Sequence, residues 1–349
     1  MRTIEIRSKK IGEGHSCFII AEAGVNHNGN LDLAKRLVDA AVEAGADAVK
    51  FQTFKAAQLI SAAAPKAEYQ RATTGVVESQ LEMVRRLEMP EAMTRAVAEH
   101  AAQRQVLFLS TGFDEDSIDL LDELGVPAFK VGSGDVTALP LLEFIGHKGR
   151  PVILSTGMSY LAEVRSAVDT LRAAGCPAIA LLQCVSSYPA VPQAANLKAM
   201  QTLADTFQVP VGFSDHSLGN ELAIAAVALS ARIIEKHITL DQNLPGPDHR
   251  VSLMPDAFRN MVRAVRVVEA ALGDGMKRPT PGEQNVRDVA RRSIVAACTI
   301  LEGASITREM LAFKRPGTGI SPADWKSVVG TKARKEIPFD ALIAREDLA

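Results

Sequence analysis

The sequence predicts a (β/α)8 TIM barrel followed by a small β-rich module. Three observations predict it. Eight short β-branched or apolar runs occur between residues 18 and 238, and helical patterns follow most of them. Apolar runs alternating with helices build a parallel sheet covered on both faces, and eight such units over roughly 250 residues have the size of a closed barrel. The alternation then stops at Gly273, where GDGMKRPTPGEQNVRD has the glycine, proline and charge of a linker. The 349 residues therefore read as one barrel plus an appendage.

The elements follow in order. Residues 1–17 have the pattern of a small hairpin. The barrel runs are FIIAEAG (18–24), AVKFQTF (48–54), LFLSTGF (107–113), AFKVGSG (128–134), PVILSTG (151–157), IALLQCV (179–185), VPVGFSD (209–215) and RIIEKHI (232–238). Asn30 suits the cap of a helix whose face carries Leu33, Leu37, Val38, Ala41 and Ala44, with Gly45 as its stop. Pro90 suits the first turn of a helix over Glu91–Gln103. Leu161 to Ala174 and Asp256 to Leu272 are further helical stretches, each closed by a glycine. A doubly wound open sheet is the rival, but it usually has fewer strands, and no GxGxxG follows the first strand. The gap from residue 55 to 106 exceeds one crossover helix. Its excess, Ala56 to Leu87, holds Lys66, Tyr69, Gln70, Thr73, Thr74 and Gln80, and reads either as a substrate wall or as an extra packed helix. The barrel domain is placed at 1–272, a linker at 273–284 and the small module at 285–349.

Composition bounds the function. Lys and Arg number 39 against 41 Asp and Glu, a net charge of −2, so the broad basic field of a nucleic-acid binder is missing. Cys17, Cys176, Cys184 and Cys298 show no CxxC or metal spacing and read as reduced thiols. MRTIEIRSKK is too charged for a signal peptide, and Leu222–Ala231, between Glu221 and Arg232, falls short of the ~20 residues of a membrane span. A cytoplasmic enzyme without a membrane partner is the expectation.

Chemistry in such a barrel sits at the C-terminal strand ends. Those ends carry Glu22, Asn26 and His27; Lys50 and Gln52; Ser110 and Thr111; Lys130, Ser133 and Asp135; Ser155 and Thr156; Gln183, Ser186 and Tyr188; Ser214, Asp215 and His216; Glu235, Lys236 and His237. A closed barrel has no edge on which to solvate a strand lysine. Lys50 and Lys130 are therefore expected to face a polar centre or an anion. Thr111, Ser133, Ser155, Ser186 and Ser214, with Gly112, Gly132, Gly134 and Gly157 nearby, match a phosphate or a phosphorylated carboxylate. His216 and His237 stand near the ends of neighbouring strands seven and eight, close enough to share a divalent ion. Glu22 is a candidate proton-transfer group, or else an ion-pair partner for Lys50 or Lys130. Lys236 reads equally as an outward salt bridge.

With those residues placed, the chain resembles the sialic acid synthase family, comprising N-acetylneuraminate synthase and its legionaminate and pseudaminate relatives. The resemblance rests on AEAGVNHNG (21–29), VKFQTF (49–54), FKVGSGD (129–135), ILSTGMS (153–159), LLQCVSSYP (181–189), GFSDH (212–216), EKHIT (235–239), PGPDH (245–249) and KRPGTG (314–319). It implies a TIM barrel with a C-terminal antifreeze-like (SAF) domain. It implies condensation of phosphoenolpyruvate with an N-acylated mannosamine-type sugar, dependent on Mn²⁺ or Mg²⁺. N-acetylmannosamine is the leading sugar, the 6-deoxy diacetamido sugar of the legionaminate branch is the alternative, and a keto-acid aldolase is the distant rival. By the same resemblance Lys50, Thr111, Lys130, Ser133, Ser155, Ser186 and Ser214 hold phosphoenolpyruvate, and His216 and His237 ligate the metal. Glu22, Gln52, Tyr188 and Asp248 contact the sugar or move protons. Glu22, His237 and Lys130 are the catalytic candidates. Ser186 stands where some members have Asn. Arg315 matches an arginine that reaches the partner subunit's site, which implies a domain-swapped homodimer.

Overall fold

A computed structural model describes residues 3–67, 70–71 and 78–349. Tyr69, Thr73 and Thr74 lie outside the described residues. The chain forms two compact units, Met1–Gly273 and Asp274–Ala349.

The first unit begins with an antiparallel hairpin, β1 (Ile4–Ile6) and β2 (Lys9–Ile11). Eight parallel strands then close a barrel in chain order. They are β3 (Phe18–Gly24), β4 (Ala48–Thr53), β5 (Leu107–Gly112), β6 (Phe129–Val131), β7 (Val152–Ser155), β8 (Ile179–Cys184), β9 (Val211–Asp215) and β10 (Ile233–His237), with β10 pairing β3. The sixth strand is shorter than the run AFKVGSG predicts. Ser133–Asp135 instead turn into a 3-10 helix, in which the Asp135 N–H donates to the Gly132 carbonyl.

Strand side chains alternate between two faces. On one parity Phe18, Ile20, Ala48, Leu109, Ala128, Ile153, Ala180, Leu182 and Ile233 fill the barrel, and Ile4, Ile6 and Ile11 of the hairpin close that core. The other parity, with Ile19, Val49, Phe51, Phe129, Leu154, Leu181 and Ile234, packs against the helices. Burial on both faces explains why the runs read as continuous apolar segments. Gly212 has a local reason: a Cβ there would lie 2.2 Å from the Ile233 carbonyl oxygen, so only glycine lets β9 approach β10.

Helix α1 (Leu31–Glu43) is capped by the Asn30 side chain, which accepts from the Leu33 N–H. Between β4 and β5 the chain forms α2 (Ala56–Leu59), α3 (Gln80–Arg85) and α4 (Glu91–Gln103). Pro90 occupies the cap of α4 rather than its first turn, because its ψ of 151° is extended. Ser79 and Glu82 form a capping box on α3. Buried Lys66 pairs with Glu78 at 3.0 Å, and Arg86 meets the same carboxylate at 2.6 Å. The helix preceding the second unit is Pro255–Leu272.

The second unit has its own core of Ile294, Ala296, Ile300, Ile306, Leu311, Val328, Ile337 and Ile343. Its sheet is β11 (Ser293–Ala296) paired antiparallel with β12 (Leu311–Lys314), and isolated bridges join the remaining loops. No helix among the described residues is long and apolar enough to cross a membrane.

Candidate active site

The parity that fills the lower barrel with aliphatic side chains continues upward as a polar layer. Ile20 is followed on the same face by Glu22, Ala48 by Lys50 and Gln52, Leu109 by Thr111, Ala128 by Lys130, Ile153 by Ser155, Leu182 by Cys184, and Ile233 by Glu235 and His237. Strand register then sets neighbours. Glu22 stands opposite Lys50 and His237, Thr111 opposite Lys130, and Ser214 opposite Glu235. These residues line a cavity of about 470 Å³ at the C-terminal strand ends. Ser133, Ser186, Tyr188, His216 and Asp248 join them from the loops. Every barrel residue that the resemblance assigns to phosphoenolpyruvate, sugar or metal thus lines one cavity.

The opposite parity is structural. Ser110 bonds Thr53 at 2.8 Å, and the Thr156 hydroxyl donates to the Leu182 carbonyl. Lys236, fully buried, pairs with Asp215 at 2.7 Å, so its salt-bridge reading holds, although the pair lies inside the helix layer rather than in solvent. Asn26 donates to the Ile238 carbonyl and to Ser252. The His27 ring accepts from the Gly29 N–H. Gln183 donates to the Ala195 carbonyl and lies outside this cavity. Arg315 is exposed on the second unit.

Four buried charges dominate the floor. Lys50 Nζ lies 2.8 Å from Glu22 and 3.7 Å from Glu235, and Lys130 Nζ lies 3.7 Å from Glu235. Lys130 also donates to Ser155 Oγ at 2.7 Å, Lys50 to Thr111 Oγ1 at 3.2 Å, and the Ser214 hydroxyl to Glu235 at 3.0 Å. Sequence reasoning placed Glu235 at a strand end without a role. The signal available was its parity, two residues from both Ile233 and His237. Burial pushes the Glu22 carboxyl above the ordinary range, with Lys50 opposing and Glu235 adding to the rise. Burial raises Asp248 to about 6, helped by Glu22. Burial lowers Lys130. Burial also acts to lower Lys50, but Glu22 and Glu235 outweigh it and the net shift is upward.

Gly157 lets two hydroxyls converge. A Cβ there would lie 2.5 Å from Ser186 Oγ and 2.9 Å from Ser133 Oγ. The Gly157 N–H donates to Ser133 at 2.9 Å.

The imidazoles of His216 and His237 have ring centroids 5.5 Å apart. Burial holds His237 well below its ordinary pKa, which favours the neutral ring, and its buried Nδ1 has no hydrogen-bond partner among the described residues. Burial also opposes charge on His216, but the Cys184 thiol and the Val185 carbonyl outweigh it and shift that ring upward. His216 Nδ1 donates to the Val185 carbonyl at 2.8 Å, while Nε2 faces the Tyr188 hydroxyl at 3.0 Å. A backbone carbonyl that fixes one ring nitrogen while the other faces the cavity is the usual support of a metal-binding histidine. Among the described residues no group of three or more His, Cys, Asp or Glu is arranged for a metal. Two imidazoles alone are an incomplete ligand set, so a divalent ion held by them would have to draw its other ligands from water or substrate.

Residues 37–277 match the NeuB family. The chain belongs to the NeuB family. Its second unit carries a SAF domain over residues 291–349. The N,N'-diacetyllegionaminic acid synthase of Legionella pneumophila is 48% identical over 328 residues, covering 93% of this chain and 92% of that protein. The human N-acetylneuraminate-9-phosphate synthase is 37% identical, covering 96% and 94% respectively. Among solved structures, the N-acetylneuraminic acid synthetase of Leptospira borgpetersenii, in complex with citrate, superposes with a TM-score of 0.73 at 36% identity. That superposition covers 82% of this chain and 95% of the other. This NeuB-family chain is thus an enzyme of the sialic acid synthase type, and its cavity sits where a TIM barrel carries its chemistry.

Proposed function

We propose that this enzyme condenses phosphoenolpyruvate with the open-chain aldehyde of an N-acylated mannosamine-type sugar. The products are a nine-carbon 2-keto sugar acid and phosphate. The observation that carries the proposal is the joining, in one cavity, of two buried ammonium groups, their hydroxyl shell, a proton-accepting buried carboxyl and two neutral-capable imidazoles.

Lys50 and Lys130, with Thr111, Ser133, Ser155, Ser186 and Ser214, would hold the phosphate and carboxylate of phosphoenolpyruvate. Ser186 is a shorter donor than the Asn of some relatives, and a bridging water would complete its reach. His216 and His237 would hold Mn²⁺ or Mg²⁺, which when bound polarises the sugar aldehyde as a Lewis acid. The enol carbon then attacks the aldehyde carbon and forms the new C–C bond. Water adds to the phosphate-bearing carbon, and phosphate departs with C–O cleavage. Glu22 would pass the proton between water and the new alkoxide. Gln52, Tyr188 and Asp248 line the sugar side.

Among sugars, the similarity to a legionaminate-forming relative favours the 2,4-diacetamido-2,4,6-trideoxy sugar over the N-acetylmannosamine expected first. Incubation with phosphoenolpyruvate, Mn²⁺ and each sugar tests the reading through phosphate release. A keto-acid aldolase would release none, and that result would reject the condensation. Arg315 is proposed to complete the sugar end of the site in a second copy of the chain. Arg315→Ala should then raise the sugar KM by roughly tenfold or more, the scale of a lost charged hydrogen bond, and leave the phosphoenolpyruvate KM near wild type. Equal effects on both would reject that role.

A further inference from the structure

The chemistry of the cavity changes where the insertion between β4 and β5 enters it. From this insertion Leu59, Ile60, Met83, Val84 and Leu87 reach the cavity, with Gln70 and Gln80 as its polar members. No carboxylate or ammonium among the described residues of the insertion lines the cavity. Buried Lys66 and exposed Arg86 both meet Glu78. The floor is therefore ionic, and the described residues of this wall are aliphatic and amide.

Two amides and aliphatic surface discriminate among sugars in a definite direction. An aliphatic wall gains contact with a methyl group but leaves a hydroxymethyl group without the partners it has in water. A carboxamide matches an acetamido group in both donor and acceptor. If the reacting aldehyde lies at the ionic floor, the remaining carbons of the sugar extend toward the rest of the lining. We infer that the insertion wall selects a sugar whose terminal carbon is a methyl group, with Met83, Val84 and Leu87 as specificity-determining residues. The inference rests on the proposed condensation and deepens it, because it assigns the choice of sugar to named side chains.

The test separates the terminal carbon from the second acetamido group. The full-length enzyme is assayed with phosphoenolpyruvate and Mn²⁺ against N-acetylmannosamine, its 6-deoxy counterpart and the diacetamido-trideoxy sugar. The 6-deoxy counterpart should exceed N-acetylmannosamine in kcat/KM by roughly 10–100-fold, the range an apolar pocket achieves against an added hydroxyl. Val84→Thr keeps the shape and adds a hydroxyl, and Leu87→Asn adds an amide. Each should narrow that ratio at least about threefold, with the phosphoenolpyruvate KM unchanged. A wild-type ratio near one overturns the inference. So does an equal loss on all sugars in both variants, which would mark a packing role. Absence of phosphate release from every sugar overturns the condensation itself, and so is distinct from failure of the wall.

Discussion

Chelation of divalent metal is expected to cut phosphate release by roughly 10³-fold, because a Lewis acid on the aldehyde is worth several kcal/mol of barrier. Added Mn²⁺ should restore it. His237→Ala should show the same loss without rescue, and Mn²⁺ binding measured by electron spin resonance in the absence of substrate should weaken in parallel. The reason lies in the orphaned nitrogen. A buried imidazole atom without a partner costs stability unless a ligand fills the role, and among the described residues His237 Nδ1 has none. The competing reading is aromatic packing. Tyr188 lies 4.1 Å from the His216 ring and 5.9 Å from His237, centroid to centroid. Packing alone would leave a chelated enzyme fully active, and that outcome would remove the metal role of both histidines.

Much of this site was legible because barrels impose a simple rule. Eight apolar runs fix eight strand ends, and parity fixes which side chains turn inward. Lys50 and Lys130 were readable as inward cations because a closed sheet offers no edge for a lysine. Glu235 was not readable as their shared counter-ion. Its contacts cross from β10 to β4 and β6, and no spacing in the chain encodes a 3.7 Å approach between residues so far apart. Gln183 stands at the same strand end but on the outward parity, whereas Cys184 beside it faces the cavity. The short β6 was likewise hidden. A Gly-Ser-Gly continuation is compatible with a strand or a tight turn, and only the hydrogen bond at Asp135 decides between them. Both readings of the insertion have a counterpart in the fold: it forms the helices α2 and α3, and Leu59, Gln80, Met83 and Val84 on them line the cavity.

Glu22→Gln is expected to lower kcat by roughly 10²–10⁴-fold, the contribution of a positioned acid–base group, while leaving the phosphoenolpyruvate KM equal to wild type or lower. The split follows from charge balance. Glu22 and Glu235 against Lys50 and Lys130 balance the charge of the floor. A phosphate monoester with an adjoining carboxylate brings roughly three negative charges. Such an anion at Lys50 competes with the carboxylate already 2.8 Å away. Glu22 already sits above the ordinary carboxyl range because it is buried, and further negative charge beside it raises its proton affinity again. Substrate binding would thus load Glu22 with the proton it later delivers. Gln mimics the neutral carboxyl in shape but cannot give up that proton. It removes the competitor for Lys50 and leaves Glu235, at 3.7 Å, to hold the ammonium in place. Rapid-quench measurement of the first turnover isolates the chemical step from product release. A first-turnover rate within tenfold of wild type would show that Glu22 serves only to pair Lys50. In that case Asp248, a buried carboxyl of the same cavity raised to about 6, becomes the proton carrier to test next.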